Sequence, residues 1–429
     1  MRNTHHKGRK TMKAHHTNRR RFLKLSSLGV AAAAVPGGLP RKAGAAWTGG
    51  LQINPAIPND RVVCCHDNAM VPDFPADKDG AVARIGDWSD YIDVCNEGSC
   101  VTVTKDLEEL PIDVPMNRAR FAEQNSGLDT ARVESDMDAC AVTLCGGSMS
   151  ASEAWSTIFR NGTKDWSTVK VAVLLDTLSL FPVHVPLVGK ICKVFAGLGV
   201  SATNIILYDG QGYVWDYENK EVAAGVPYLY GPYVGNGIPE GVVLSNGFDA
   251  LGGLTTAEVP EPFAGEYRCA KSIAEGAVDI IVNIATNKSE GDLVNDTALC
   301  LYNHFGGTFV RRPRSVFEGM DILNYMMAVN KSDAVIGGEP PRQQLCIVDS
   351  IWANHCCGPY GTHLQKYTID RQPNRIIMGT CAPLVDGATI RGLRRKMMAH
   401  VEGFSARFMI DFGYPAEKWD ELELTPVTV

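Results

Sequence analysis

The stretch Val278–Gly306 constrains the fold most strongly, because its pattern predicts a buried strand, a polar turn and a helix. Residues 279–285 are rich in Ile and Val, as in a strand covered on both faces of a parallel sheet. Polar residues follow, and apolar residues then recur at helical spacing from Asp292 to a stop at Gly306 and Gly307. In an open α/β sheet, ligands bind beyond the ends of such strands. The stretch therefore indicates where a functional site should lie.

Alternating strand and helix patterns continue on both sides of this stretch. Strands are predicted at 61–65, 169–175, 204–208, 344–348 and 375–378, and helices at 117–144, 151–159, 186–198, 267–275, 315–329 and 383–400. Such alternation is typical of a largely parallel sheet covered by helices. The fold class is therefore predicted to be α/β, with a Gly- and aromatic-rich insert at 210–262 that forms a β-rich lobe.

The chain divides by pattern into four regions. Residues 1–45 have the composition of an export leader, and residues 46–150 form a loop-rich and partly helical region. The regular alternation fills residues 151–400, which are predicted to form the α/β domain. Residues 401–429 are interpreted as a C-terminal extension.

The leader resembles a twin-arginine export signal. Residues 18–24, Asn-Arg-Arg-Arg-Phe-Leu-Lys, precede an alanine-heavy apolar core, and Ala43-Gly44-Ala45 fits a small-residue cleavage site. The alternative is a basic arm for nucleic acid, but the arginines stand directly before Phe-Leu-Lys, which favours export. The signal predicts passage through the twin-arginine translocase to a periplasmic or extracytoplasmic location. Whether translation begins at Met1 or Met12 is left open.

The charge balance argues against nucleic acid as a partner. The leader carries eleven of the 41 Lys and Arg residues and none of the 48 Asp and Glu residues, so its removal leaves a formal net charge of −18. A strongly acidic chain repels polyanions. No apolar run after the leader reaches the length of a membrane span, so no transmembrane segment is predicted in the mature chain.

Several polar residues fall just after predicted strands or at the start of a helix. Carboxylates that share one edge of a parallel sheet could bind a metal, act as acid and base, or hold sugar and amine groups. The alternative for each single Asp is a cap of a turn or helix, but the recurrence at one topological level favours a site. The candidate cleft residues are Asp176, Asp209, Lys288, Asn303, His304, Asp349 and Asp386.

Thirteen cysteines suggest disulfides in an exported chain, with Cys95 and Cys100 as the best local pair. Cys192, Cys300 and Cys346 lie in apolar segments and are predicted to be core residues. Cys356 and Cys357, next to His355, are the most site-like thiols and the candidate metal ligands or redox thiols. A metal ion or an iron–sulfur cluster could be the cofactor, although no Cys-x-x-Cys pair supports a cluster. Its identity is left open.

The order of the segments resembles a bacterial family, the domain of unknown function numbered 362. The similarity spans about Ala151–Leu393 and rests on Trp155–Asp176, His184–Val188, Ile205–Asp209, Asn303–Gly306, Cys346–Ser350 and Gly358–Pro359. Exported members of that family often carry twin-arginine leaders, and relatives can be joined to ferredoxin-type iron–sulfur domains. The resemblance therefore implies an exported α/β protein without a settled activity.

The chain departs from the family pattern at groups that carry charge. A lysine common before Asn303 is replaced by Tyr302, and the strand that ends at Asp176 also lacks its lysine. Residues 381–386 keep only the second aspartate of the family's pair, Asp386, and Cys357 replaces a glycine before Gly358. The ferredoxin cysteine run is absent from the sequence. If those groups act in relatives, this chain has changed its ligand or lost the activity.

Three functions are compatible with these patterns. The first is an exported protein that binds a metal or redox cofactor at a cleft on the strand ends. The second is a non-catalytic periplasmic binding module for a glycan or other small ligand, with the Tyr-rich insert as a stacking surface. The third is a hydrolase that uses the carboxylates, but no Ser-His-Asp or paired-Glu signature supports it.

Overall fold

A sheet of ten strands organises the computed structural model and confirms the predicted α/β class. The structure describes residues 52–71, 83–84, 118–177, 182–216, 221–288, 299–310, 321–353, 371–394 and 422–429, all within one unit, Trp47–Val429. The strands are β1 (Val62–His66), β2 (Ala83–Arg84), β3 (Val171–Leu174), β4 (Ile205–Tyr208), β5 (Tyr213–Asp216), β6 (Glu221–Ala224), β7 (Val243–Leu244), β8 (Leu254–Val259), β9 (Gly265–Ala270), β10 (Ile280–Asn287), β11 (Gln343–Ala353), β12 (Arg371–Gln372), β13 (Arg375–Gly379) and β14 (Leu424–Val427).

Helices cover the sheet. They are α1 (Arg118–Ser126), α2 (Thr130–Leu144), α3 (Ala151–Ile158), α4 (Val185–Leu198), α5 (Gly225–Tyr230), α6 (Lys271–Ala274), α7 (Cys300–Gly307), α8 (Asp321–Asn330), α9 (Asp333–Ile336) and α10 (Ala382–Thr389). None of the helices in the described ranges is long and apolar enough to cross a membrane.

The strand order along the sheet is β14-β1-β13-β11-β10-β3-β4-β7, with β12 and β2 attached at one side of β11. Strands β11, β10, β3, β4 and β7 run parallel to one another, whereas β13 is antiparallel to both of its neighbours. The chain leaves β3 toward β4 on one side and later returns to place β10 on the other side. The gap between β3 and β10 is therefore a topological switch point, where ligands bind in open α/β sheets.

Both faces of the sheet are covered, which explains its unbroken apolar strands. In β3, Ala172 and Leu174 pack with the cluster that includes α7 to α10, whereas Val171 and Val173 pack with the cluster that includes α1 to α5. Strand β10 alternates in the same way, with every residue buried. The two-sided core fixes the directions of the strands that end at the switch point.

Local sequence signals set several helix ends as predicted. Ser150 and Glu153 form a capping box at the start of α3, in which each side chain accepts a hydrogen bond from the other residue's backbone N–H. Pro186 occupies the first turn of α4, and Gly199 ends that helix with a φ of 101° in the left-handed region. These caps are local, which is why the sequence pattern alone located these helix ends.

Several predicted elements differ from the structure. The segment predicted as helix 267–275 forms strand β9 and the short helix α6, because β9 pairs along its whole length with β8. Insert 210–262 is divided between the main sheet, which receives β7, and two hairpin regions built by β5, β6 and β8. The sheet also extends across the predicted boundaries near 150 and 400, since β1 and β14 both belong to it.

Candidate functional site

Four of the predicted site residues line one cleft at the switch point. Asp176 follows β3, Asp209 follows β4 directly, and Lys288 follows β10 directly. The described cleft lining consists of Leu175, Asp176, Asp209, Lys288, Tyr302, Asn303, Phe305, Gly306 and Gly307. Parallel strands bring these carboxyl ends to one edge, so the convergence follows from the sheet topology.

Asp176 and Lys288 form a buried ion pair in this cleft. The Lys288 Nζ lies 2.6 Å from Asp176 Oδ2, and each side chain is 5% exposed. Thr286 Oγ1 donates a hydrogen bond of 3.1 Å to the same carboxylate oxygen. Lys288 Nζ also lies 5.7 Å from the centroid of the Tyr302 ring. The ammonium group is therefore held between a carboxylate and an aromatic face.

Asp209 is fixed by the residue that follows Asp176. Its Oδ2 accepts hydrogen bonds of 2.9 Å from the Thr177 backbone N–H and 2.8 Å from Thr177 Oγ1. Burial raises the pKa of Asp209 above its ordinary value, and the negative charge of Asp176 adds to this effect. The two Thr177 hydrogen bonds and the charge of Lys288 oppose the rise. Asp209 is therefore a carboxyl group whose proton affinity is enhanced by its site.

Glycines make room for this arrangement. A Cβ at Gly212 would lie 1.9 Å from Thr177 Oγ1 and 2.1 Å from Asp209 Oδ2, and one at Gly225 would lie 2.3 Å from Thr177 Oγ1. No side chain larger than hydrogen fits at either position without displacing Thr177. The glycine-rich composition of this segment, which the sequence pattern associated with a lobe, thus serves close packing around Asp209.

The cleft presents acceptors and a donor to a ligand. Among the described residues, none donates a hydrogen bond to the Oδ1 atom of Asp176 or of Asp209. The volume open to the centre of a water-sized sphere is about 10 Å³, which is room for about one water. The described side chains therefore enclose a narrow polar site with two free carboxylate oxygens.

Asn303 and His304 belong to one buried hydrogen-bond network. Asn303 Nδ2 donates to Asn283 Oδ1 at 3.0 Å and to the Ile284 carbonyl oxygen at 2.9 Å, so its amide group is held in one orientation beside the cleft. His304 Nδ1 lies 2.9 Å from Thr308 Oγ1, and its Nε2 lies 2.6 Å from Gln343 Oε1. With both nitrogens engaged and the side chain fully buried, His304 is a core residue. Burial lowers its pKa to about 4.

Asp386 lies in the middle of α10, where its side chain reaches the start of α7, and it is outside the described cleft lining. Its Oδ1 accepts from the Cys300 backbone N–H at 3.0 Å, and its Oδ2 accepts from the Leu301 N–H at 2.9 Å. These donors are the unpaired N–H groups at the start of α7, so the carboxyl group caps that helix from α10. Burial raises the pKa of Asp386 to about 7, although both hydrogen bonds oppose the rise. Its structural role matches the capping alternative.

Asp349 lies within β11, which continues to Ala353 and does not end at residue 348 as predicted. The Asp349 Oδ2 atom lies 2.7 Å from His184 Nδ1 and accepts a hydrogen bond of 2.8 Å from the His184 backbone N–H. Both side chains are 1% exposed. The sequence pattern did not identify His184 as a site residue, because the partner that orients it is distant in the chain.

The described cysteines are free and mostly buried. Cys145 is half-buried, and eight others are buried: Cys64, Cys65, Cys140, Cys192, Cys269, Cys300, Cys346 and Cys381. Burial raises the pKa of Cys192, Cys269 and Cys381 to about 12, which disfavours the thiolate needed for metal binding or redox chemistry. No group of three potential metal ligands occurs within the described ranges. Cys95, Cys100, His355, Cys356 and Cys357 lie outside them.

The candidate site thus combines predicted and unpredicted residues. One cleft brings together Asp176, Asp209, Lys288 and Asn303. Asp349, on the strand β11 beside β10, pairs instead with His184 at the start of α4. His304 and Asp386 hold the surrounding core together. Comparison with models of protein families, with curated proteins and with solved structures found no match to this chain.

Proposed function

We propose that the switch-point cleft binds a small polar ligand that carries hydroxyl or amino groups. The observation that carries this proposal is the Asp176–Lys288 ion pair, which lies with Asp209 at the carboxyl ends of β3, β4 and β10. Burying two carboxylates and an ammonium group costs free energy. A protein core does not need these charges for packing, and their place at the switch point supports a binding role.

The charges and donors of the cleft favour one class of ligand. Two carboxyl groups outnumber one ammonium group, so a phosphate or other strong anion would be repelled. The free Oδ1 atoms of Asp176 and Asp209 can each accept a hydrogen bond from a ligand O–H or N–H group. The cleft has room for about one water, so a ligand would place a single hydroxyl or amino group in it and not a whole ring. This chemistry supports the small-ligand alternative, with one hydroxyl group of a monosaccharide or polyol, or one amino group, inside the cleft.

The ligand proposal predicts a loss of affinity when Asp209 is neutralised. A panel of monosaccharides, polyols, amino alcohols and amino acids would be screened by thermal shift and measured by calorimetry. Asp209→Asn should weaken the best ligand at least about tenfold, because a hydrogen bond to a charged group contributes roughly 1.5–3 kcal/mol. The exposed Asp60→Asn variant is the matched control and should bind like wild type. Equal affinity of wild type and Asp209→Asn would contradict the proposal.

A cofactor bound by residues that follow β11 in the sequence is the second candidate function. We propose that the chain is an exported member of the family numbered 362 and that Cys356, Cys357 and His355 bind a metal or redox cofactor. The observation that favours this candidate is that β11 ends at Ala353, so these residues follow a strand whose Asp349 belongs to the candidate site. The resemblance of the leader to a twin-arginine signal supports export.

This second candidate predicts metal in protein recovered from the periplasm. The chain would be expressed with its leader, and the periplasmic fraction analysed for metal, sulfide and visible absorption. Stoichiometric metal or a charge-transfer band is expected in wild type and should disappear in the double variant Cys356→Ser/Cys357→Ser, because thiolates are the ligands. Cys145→Ser, a change at a half-buried free thiol, is the control. Metal content that is unchanged in the double variant would remove these cysteines from the site.

A further inference from the structure

Asp349 holds the imidazole ring of His184 in one orientation and leaves the second ring nitrogen with a lone pair. Asp349 Oδ2 lies 2.7 Å from His184 Nδ1, and a carboxylate can only accept there, so Nδ1 carries the hydrogen. In the neutral ring the lone pair then resides on Nε2. This Nε2 is buried and has no hydrogen-bond partner in the described structure. The ring is therefore fixed, with a buried proton-accepting atom that has no partner among the described residues.

A buried histidine elsewhere in the same core shows what a purely structural role requires. His304 has a partner on each ring nitrogen, Thr308 and Gln343, and leaves neither atom unpaired. An unpaired buried polar atom costs roughly 1–3 kcal/mol, so a structural histidine would be expected to pair both. Within the described residues the Nε2 of His184 has no such partner, which leaves its lone pair for a bound group.

His184 lies next to the residues of the cleft. Asp349 pairs in register with Thr286 across β10 and β11, and Thr286 donates a hydrogen bond to Asp176. Tyr230 donates a hydrogen bond of 2.6 Å to the carbonyl oxygen of Val183, the residue before His184. Burial raises the pKa of Tyr230, and the charges of Asp349, Asp176 and Asp209 add to the effect. The three carboxyl groups thus act on one buried hydroxyl beside His184.

We propose that His184 is the proton acceptor for the ligand of the cleft. The ligand's O–H or N–H bond breaks, its proton forms a bond to Nε2, and the electron pair stays on the ligand atom. Asp349 remains ionised as a positioning residue that holds the ring and stabilises the imidazolium. The inference rests on the proposed ligand site and adds an acid–base role to it. It favours a ligand whose reacting group carries a proton.

Diethyl pyrocarbonate tests the inference without a known substrate, because it modifies unprotonated imidazole nitrogens. Peptide mass spectrometry would follow His184, His304 and His66, of which His66 is exposed at the end of β1 and is the positive control. Both rings are buried, but His184 should react at least about tenfold faster than His304, because its Nε2 makes no hydrogen bond with a described residue, whereas both nitrogens of His304 must first lose theirs. Equal protection of His184 and His304 while His66 reacts would overturn the inference.

The role of Asp349 requires its own readout. In Asp349→Asn, the modification of His184 at a fixed pH should slow several-fold, because the side-chain amide can donate a hydrogen bond to Nδ1 and so leave the ring hydrogen on Nε2. Asp349→Glu keeps a carboxylate that accepts from Nδ1 and should react at nearly the wild-type rate. Equal rates in wild type and Asp349→Asn would show that Asp349 is only a packing partner.

Ligand protection separates this inference from the proposed function. The tightest ligand from the panel should slow the modification of His184 in wild type and leave His66 unaffected. A ligand whose affinity depends on Asp209 but which leaves His184 equally reactive would refute the inference and preserve the binding site. Failure of every panel member to bind would count against the proposed function, while the rate of His184 relative to His304 would still decide whether its lone pair is reachable.

Discussion

Replacing Lys288 with Met is expected to lower the free energy of unfolding by about 3–5 kcal/mol, because it leaves the Asp176 carboxylate buried without its countercharge. The two side chains are 5% exposed and 2.6 Å apart, so solvent cannot replace the lost partner without opening the cleft. Only the Thr286 hydroxyl would still contact that oxygen among the described side chains. Urea unfolding at neutral pH, followed by circular dichroism, measures the change.

Two controls make the Lys288 result specific. The double variant Lys288→Met/Asp176→Leu removes both charges and should recover most of the loss, since an apolar pair of similar volume is often as stable as a buried ion pair. Lys193→Met removes a lysine whose side chain is 45% exposed and which pairs with Glu134, and it should cost no more than about 1 kcal/mol. A Lys288 variant as stable as the Lys193 variant would show that the cleft is well hydrated.

Acidification from pH 6.5 to pH 4 is expected to cost about 3 kcal/mol of unfolding free energy through His304 alone. Burial lowers the pKa of this imidazole from 6.5 to about 4 in the folded protein. Between those values the unfolded chain binds a proton that the folded protein does not bind, so stability falls as the pH falls. Urea unfolding at several pH values measures the slope.

The Asp386 carboxyl group changes the stability in the opposite direction as the pH falls, so its contribution must be measured separately. Its pKa is raised to about 7, so the folded protein binds its proton more tightly than the unfolded chain, and stability rises as the pH falls through that window. The Asp386→Asn background removes this term, and the acid-induced loss should then become larger. The added variant His304→Gln should flatten the remaining slope. An unchanged slope in that variant would assign the acid sensitivity to other groups.

The sequence predicted the part of the site that depends on strand ends. Short runs of Val and Ile marked β3, β4 and β10, and the polar residue after each run marked the edge where Asp176, Asp209 and Lys288 meet. Buried strands and their order can be predicted from the local sequence. The parallel arrangement of these strands then brings the three residues to one edge of the sheet. The same reasoning missed β9, because this strand is stabilised by pairing with β8, which the local sequence pattern does not show.

The sequence pattern could not predict the direction in which each side chain points. Asn303 and His304 are adjacent in α7, yet one lines the cleft and the other points into the core, since helix rotation separates neighbours by about 100°. Asp386 resembled a cleft carboxylate but caps α7 from a different helix. His184 carried no signal, because its significance comes from Asp349, which only the folded sheet brings to it.

The position of β1 in the sheet also has a consequence for synthesis. Both of its neighbours come late in the chain, since Cys64 pairs with Ile377 on one side and with Pro426 on the other. The second partner follows by about 360 residues, which a ribosome adds in roughly 20–70 s. Both edges of β1 lack their native partners until β13 is made, and one edge lacks its partner until β14 follows, a state that invites pairing with other chains. The nascent chain should therefore depend on chaperones until its last strand emerges.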